Sequence, residues 1–378
     1  MPDNSLPKIV CDDKIPFLRG TLEPYAKVEY HAGSKITADT VRDASAVVTR
    51  TRTKCNQALL QGSSVRFIGT ATIGFDHIDT QWAEANGIEW TNAPGCNSGS
   101  VKQYMAAALA LLVEEKGMTL NGKTIGIVGV GNVGTKVEQV AKAFGMEVLL
   151  CDPPRKRREG GDFVDFDQIA AQSDFITFHT PLNRTGGDKT LHFFNPDVLP
   201  KLRPGVTVFN TSRGEIIDTR ALKTAIDKGI VGNAIIDVWE DEPFIDLELL
   251  GKAFVATPHI AGYSLDGKAL GTAMVVRALS KKFGFPLVDW FPASIPRPGN
   301  PGIHIDVAGL TDEQALAKVI LHTYPLRRDD NTLRRSVETF EDQRGNYPVR
   351  REFGAYEALV LNGSEGLDRT IKGLGFIV

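Results

Sequence analysis

Arg213 in "VTVFNTSRGEIID", Glu242 in "IIDVWEDEPF" and His259 in "VATPHIAGYS" each follow an apolar run that stops at a polar loop. Strands that end this way place their last residues at the carboxyl edge of a sheet, where open α/β folds bind ligands. The three supply a cation, an acid and a base. Oxidising a hydroxyl beside a carboxylate needs such a set. A base takes the hydroxyl proton, an acid orients that base, and a planar guanidinium holds the carboxylate with two parallel hydrogen bonds. Taken singly, two of them have a structural alternative: His259 as a hydrogen-bonded structural histidine, and Arg213 as an ion-pair partner of Asp218.

A second constellation lies upstream. Gly129, Gly131 and Gly134 spell G-x-G-x-x-G after the apolar run "TIGIVGV", open a helical stretch, and are followed by Asp152 at the tip of "MEVLLCDPP". The glycines allow a tight turn and close approach of a pyrophosphate to a helix amino terminus, and the carboxylate accepts ribose hydroxyls. An acid at that point repels a 2′-phosphate, which favours NAD over NADP. The basic "RKRR" just beyond it keeps NADP open.

These residues need scaffolding, and the pattern provides it. The runs "KIVCDD", "ASAVVTRT", "VRFIGTATIG" and "IEWTNAPG" alternate with helical stretches, a βα repetition. A long apolar helix begins near 101, with Asn97, Ser98 and Ser100 placed to cap it. From 119 onward the pattern restarts, with strands expected at 174–179, 206–210, 233–238 and 253–256, forming one parallel doubly wound sheet. The proline-rich "FPASIPRPGNPG" reads as a linker. Beyond it, Thr311 and Gln314 have the spacing of a capping box, in a small α/β unit without catalytic residues of its own that suits assembly.

Composition narrows the class. Of 378 residues, 42% are hydrophobic and 24% charged, and 43 basic against 46 acidic residues leave a net charge of −3. That is an ordinary globular composition without a nucleic-acid footprint, "RKRRE" being a short solvated run. Cys11, Cys55, Cys96 and Cys151 are scattered, so neither a disulfide framework nor a metal site is expected, and a reducing cytoplasm fits. "MPDNSLPKIVCDD" lacks the features of a signal peptide, and "YMAAALALLVEE" is too short to span a membrane.

The segments "GVGNVG", "HTPL", "RGEIID", "DVWEDEP" and "PHIAG", in that order, resemble the D-isomer-specific 2-hydroxyacid dehydrogenases over residues 8 to 285. The resemblance implies an α/β architecture. A doubly wound Rossmann NAD-binding domain (101–263) is inserted in a flavodoxin-like substrate or lid domain (1–100, completed by 264–287), followed by a small C-terminal α/β dimerisation domain (288–378). It makes Arg213 the carboxylate-binding arginine, His259 the general acid/base and Glu242 its partner. Gly129, Gly131, Asn132, Val133, Gly134, Asp152, Thr180, Thr211, Ser212, Asp237 and Gly262 become cofactor contacts.

"GTATIGFDHID", "NAPGCN", "LLCDPPR" and "HIAGYSLDGKALGT" resemble a narrower branch whose members act on a phosphorylated 2-hydroxy acid. There Thr51, where a serine is usual, Thr72 and Tyr263 are substrate contacts. Gln103 stands where the wider family has an acid, a departure that concerns helix packing. The expected activity is NAD-dependent oxidation at C2, in the cleft between the first two domains, by a cytoplasmic homodimer that binds neither nucleic acid nor membrane. Another D-2-hydroxyacid dehydrogenase, such as one acting on 3-phosphoglycerate, and a non-catalytic NADH-sensing regulator are the alternatives. The substrate phosphate needs a further cation. Arg50 or Arg52 is the expected contact, completed in trans by Arg350 or Arg351.

Overall fold

The computed structural model describes residues 6–378; residues 1–5, which the sequence reading includes in the first domain, lie outside the described residues. The chain divides into two compact units. One takes the residues up to Asn97 together with Ser264–Pro296, and the other takes Ser98–Tyr263 with Arg297–Val378.

In the first unit β1 (Lys8–Asp12), β2 (Lys27–His31), β3 (Ala46–Thr49), β4 (Phe67–Thr70) and β5 (Glu89–Thr91) form a parallel sheet ordered β2-β1-β3-β4-β5. This is the flavodoxin-like order that the sequence led us to expect. Successive side chains of a strand point to opposite faces, and here both faces are covered. Ile9, Cys11, Ala46, Val48 and Phe67 share a core with Val275, Val276 and Leu279 of the Leu265–Phe283 helix. Val10, Val47 and Ile68 pack with Leu59, Leu60 and Ala83. That is why "KIVCD", "AVVT" and "FIGT" read as continuous apolar runs rather than alternating ones.

In the second unit β6 (Thr124–Val128), β7 (Glu147–Cys151), β8 (Phe175–Phe178), β9 (Val206–Asn210), β10 (Val231–Ile236) and β11 (Val255–Ala256) form the doubly wound parallel sheet, ordered β11-β10-β9-β8-β6-β7. Winding reverses between β6 and β8, and the crevice at such a reversal is where these sheets take ligands. Gly129 follows β6, His179 and Thr180 follow β8, Thr211 to Arg213 follow β9, Asp237 follows β10, and His259 comes just past β11.

The helix Ser98–Lys116 is buried from Ser98 to Val113 apart from a half-buried Lys102. It packs in one core with Ile125, Ile127 and Val137 of the nucleotide-binding sheet and helix, and with Leu316 and Ile320 of the helix Asp312–Thr323. The C-terminal segment thus shares its hydrophobic core with the nucleotide-binding half. Gln103, fully buried, donates through Nε2 to Thr323 Oγ (3.1 Å) and to the Arg351 carbonyl (2.8 Å). An amide can donate in this way and an ionised acid cannot. Ser98 and Ser100 lie inside the helix rather than capping it, and Asn97 Oδ1 makes no hydrogen bond.

β12 (Gly302–Asp306) and β13 (Glu357–Leu361) pair in parallel in the C-terminal segment. The capping box forms there as its spacing led us to expect. Gln314 N–H donates to Thr311 Oγ (3.2 Å) and Thr311 N–H to Gln314 Oε1 (3.1 Å). In the helix Leu326–Arg335, buried Asp330 accepts from Arg327, Arg334 and the Ala256 amide, tying this segment to β11.

Candidate active site

The loop after β11 winds around one carboxylate. Asp237 Oδ1 accepts from Thr257 Oγ (2.6 Å) and Ile260 N–H (2.8 Å), and Oδ2 accepts from Ala261 N–H (2.9 Å). Thr257 is held in turn by the hydroxyl of Tyr104 at 2.7 Å. His259 has φ 55°, a left-handed conformation disfavoured for a side chain of this size. Its N–H donates to the Asp237 carbonyl (2.7 Å), so the strained residue is held from both sides. Burial pushes the Asp237 carboxyl above its usual range, against the His259 charge and the donors around it.

The acid and base meet at the end of this loop. His259 Nδ1 lies 2.8 Å from Glu242 Oε2, while Glu242 Oε1 accepts the Trp239 amide at 2.9 Å. Burial alone would raise the Glu242 carboxyl. The hydrogen bond to His259, its charge, the Trp239 N–H and the Arg344 charge outweigh that and hold it below its usual range. Glu242 is therefore an anion at neutral pH. With Nδ1–H donated to it, Nε2 is the nitrogen left to exchange a proton.

Arg213 sits where β9 ends. Asn210 organises the turn: its Nδ2 donates to the Arg213 carbonyl (2.9 Å), and its Oδ1 accepts the Ser212 amide (3.1 Å) and hydroxyl (2.9 Å). A side chain at Gly214 would overlap the Trp239 backbone. The Arg213 turn is thus jammed against the residue whose amide holds Glu242. Asp218, the alternative partner of Arg213, caps the helix Thr219–Asp227 by accepting Ala221 N–H at 2.8 Å.

At the crevice, Gly129 has φ 89°, and a side chain there would press on the His179 carbonyl and the Thr180 methyl. One at Gly134 would overlap the Gly129 carbonyl, so both glycines serve close approach. Gly131 faces open space and leads the helix Asn132–Ala143, which has neither a side-chain cap nor an acid in its first turn. Its first amides are therefore available to an anion. Asn132 is exposed and Val133 half-buried in that turn. Asp152 Oδ2 accepts the Val130 amide (2.9 Å) and Oδ1 caps the next helix at Arg155 (2.9 Å). The basic run is paired in place, Arg155 and Arg158 sharing Glu159, Lys156 with Asp165 and Arg157 with Asp188.

Thr180 Oγ is buried without a hydrogen-bond partner. Thr211 Oγ lies 3.3 Å from His179 Nδ1, and Thr177 Oγ 2.9 Å from its Nε2. Burial pushes His179 down to about 3, so it is a neutral spacer. A cleft of about 560 Å³ lined by Val130, Gly131, Asn132, Asp152 and Arg155 lies at the helix start. The uncapped helix, the open space at Gly131, the strand-tip carboxylate and the orphaned Thr180 hydroxyl together fit a dinucleotide.

In the first unit, Thr51 and Arg52 are exposed just after β3, and Arg50 Nη1 donates to the Lys14 carbonyl at 3.2 Å. Thr72, after β4, donates to the Gly74 carbonyl and lies 2.7 Å from Thr70 Oγ. Gly262 and Tyr263 continue the His259 loop, half-buried.

The two C-terminal arginines expected at a partner's phosphate, Arg350 and Arg351, are buried within their own chain. The Arg350 guanidinium lies 4.3 Å from the Tyr324 ring centroid and donates to the carbonyls of Ile260 (3.3 Å) and Ala261 (2.7 Å) of its own chain. It braces the His259 loop from behind. Sequence reading missed Tyr104 and Arg350 as supports of this loop, because each comes from a segment whose local pattern carries no sign of it, and missed Thr257 although it lies two residues before His259. Trp239 was within reach, since it sits inside the quoted "DVWEDEP".

A parallel α/β sheet with a dinucleotide turn and an acid–base pair at its carboxyl edge defines an NAD-dependent dehydrogenase. The family described as D-isomer specific 2-hydroxyacid dehydrogenase, NAD binding domain, matches residues 102–261, and a domain of unknown function matches 298–372. The erythronate-4-phosphate dehydrogenase of Bacteroides fragilis is 48% identical over 93% of this chain and 99% of its own. That of Porphyromonas gingivalis is 41% identical over 98% and 100%. Among solved structures, the D-lactate dehydrogenase of Aquifex aeolicus, complexed with NAD and lactic acid, gives a TM-score of 0.61 at 25% identity, over 76% of this chain and 100% of that one. The chain belongs to the D-isomer specific 2-hydroxyacid dehydrogenases, on the branch of the erythronate-4-phosphate dehydrogenases.

Proposed function

We propose that the chain oxidises 4-phospho-D-erythronate at C2 to (R)-3-hydroxy-2-oxo-4-phosphobutanoate, the dehydrogenase step of pyridoxine 5′-phosphate (vitamin B6) synthesis. The observation that carries the chemistry is the His259–Glu242 contact of 2.8 Å at the carboxyl edge of the nucleotide-binding sheet. The substrate rests on the shared name of relatives aligned over nearly the whole chain.

NAD+, when bound, would supply the hydride acceptor for C2. Neutral His259 takes the hydroxyl proton on Nε2, and Glu242 stabilises the resulting imidazolium through Nδ1. Arg213 holds the substrate carboxylate with its planar fork and so sets which face of C2 is presented. Asp152 takes the ribose hydroxyls, and the amides at Asn132 and Val133 take the pyrophosphate. Gly262, Thr180, Thr211 and Ser212 complete the cofactor's surroundings. Asp237, each of whose oxygens accepts from a protein donor, serves the cofactor through the loop it shapes.

Thr51, Thr72 and Tyr263 contact the substrate, and its phosphate is held by Arg50 or Arg52. Four buried free cysteines suit a reducing cytoplasm. The chain pairs into a homodimer through its C-terminal segment, where Leu359 and Leu361 leave an apolar stripe exposed on β13. One assay tests the reading: NADH formation from 4-phospho-D-erythronate beside 3-phosphoglycerate. The expected kcat/KM favours the former by tenfold or more, on the order of the discrimination a misplaced polar contact gives. Arg52→Met in the same assay raises KM for the phosphorylated substrate and leaves NAD binding unchanged. Equal rates with both acids, or none with either, would remove the substrate assignment.

A further inference from the structure

The acid–base pair has a neighbour from far along the chain. Arg344, in the helix Phe340–Gly345, places Nη1 3.9 Å from Glu242 Oε2 and 2.9 Å from Glu341 Oε1. Its guanidinium also hydrogen-bonds the side chain of Tyr263, the last residue of the His259 loop. The Arg344 side chain is only 22% exposed, so water screens its charge incompletely. Around the pair lie Asp237 and Arg350 behind the loop, Tyr263 at its end with Tyr347 against its ring, and Arg344 with Glu341 from the C-terminal segment.

Each Glu242 oxygen already has a hydrogen-bond donor, Trp239 N–H on one and His259 on the other. Glu242 therefore needs no further group to fix its orientation. What Arg344 adds is charge. A fixed cation beside the carboxylate keeps it ionised, and it opposes a second positive charge on the adjacent imidazole. Both effects favour the state that oxidation requires, anionic Glu242 with neutral His259.

We propose that Arg344 is a positioning residue for this reaction: a cation from the C-terminal segment that sets the charge state of the Glu242–His259 pair and tethers Tyr263. The inference rests on the dehydrogenase reading above. It also gives the C-terminal segment a part in the chemistry.

The test is a pH series on the full-length enzyme with NAD+ and 4-phospho-D-erythronate, comparing the parent with Arg344→Met, Arg344→Lys and Glu341→Gln. Removing the positive charge makes the imidazole easier to protonate, so neutral His259 is lost at higher pH. In Arg344→Met the midpoint of the acidic limb of kcat moves up by about half to one pH unit, a few-fold loss of turnover at pH 6 to 7. Arg344→Lys restores most of the parent profile. In Glu341→Gln, which removes the counter-charge, the limb moves the other way by a few tenths of a unit.

A carbon-bound proton NMR titration of the His259 ring, without substrate, shows the same ordering and needs no turnover. If the parent shows no activity with the phosphorylated acid, the substrate reading fails while the titration still decides the role of Arg344. An unmoved titration and acidic limb in Arg344→Met would overturn the proposal. So would a rise confined to KM for the phosphorylated substrate, which would make Arg344 a phosphate ligand instead.

Discussion

His259 and Glu242 show how much of a catalytic group is made by what stands behind it. Their side chains could be picked from the sequence because base and acid follow successive strands of a parallel sheet. The hydrogen bond that makes them a pair needed the fold. His259→Ala leaves the glycine turn, Asp152 and the uncapped helix untouched. Cofactor affinity, read by NADH fluorescence, should therefore stay within a few-fold, while turnover falls on the order of 10² to 10⁴.

Glu242 carries a pH signature of a different kind. Its carboxyl is held below the unfolded value of about 4.3. A depressed carboxyl contributes stability that is fully present above its unfolded pKa and is lost as pH falls through the folded one. Thermal melts of the parent against Glu242→Gln should thus differ above about pH 5 and draw together as pH falls through the depressed carboxyl's range. A difference that did not shrink as the solution was acidified would assign the effect to packing instead of charge.

Among the elements, those that local pattern describes well are the ones that bind the nucleotide. A glycine turn, its strand and its helix are contiguous, and their chemistry is written in spacing. The loop after β11 is different. Thr257, Ile260 and Ala261 meet one carboxylate from the end of β10, while Tyr104 and Arg350, from a helix and a loop distant in sequence, hold the Thr257 hydroxyl and the Ile260 and Ala261 carbonyls. Nothing in "VATPHIAGYS" reports those partners. The loop's demand on Asp237 is strict, since each oxygen must accept. Asp237→Asn is isosteric but turns one acceptor into a donor facing an amide. The expected cost is about 1 to 3 kcal/mol of stability, with turnover falling further than cofactor binding because His259 loses its support. Unchanged turnover with a lowered melting temperature would show that the loop tolerates the loss and that Asp237 is structural only.

For the whole molecule, the sequence set the C-terminal residues apart by their proline-rich approach and lack of catalytic motifs. The structure joins them to the nucleotide-binding half through a helix that is apolar on nearly every side. Such a helix announces that it is covered twice without saying by what. The segment still has an uncovered face. β12 and β13 make only a two-stranded sheet, short of what is stable without further cover. His304 and Asp306 register with Leu359 and Leu361, and all four are exposed. Two leucines on one face of a strand, more than half exposed, are what a second copy related by a two-fold axis would bury. Because both lie away from the shared core that holds Leu316 and Ile320, charging them should separate subunits without unfolding either. Leu359→Glu with Leu361→Glu is therefore expected to shift the chain from dimer to monomer by sedimentation velocity at micromolar concentration, with its circular dichroism unchanged. Leu316→Ala, inside the shared core, should instead lower stability by about 2 to 5 kcal/mol and leave the dimer intact where the protein remains folded. A parent that sediments as a monomer would remove the dimer, and a doubly charged variant that stays dimeric would move the interface elsewhere on the chain.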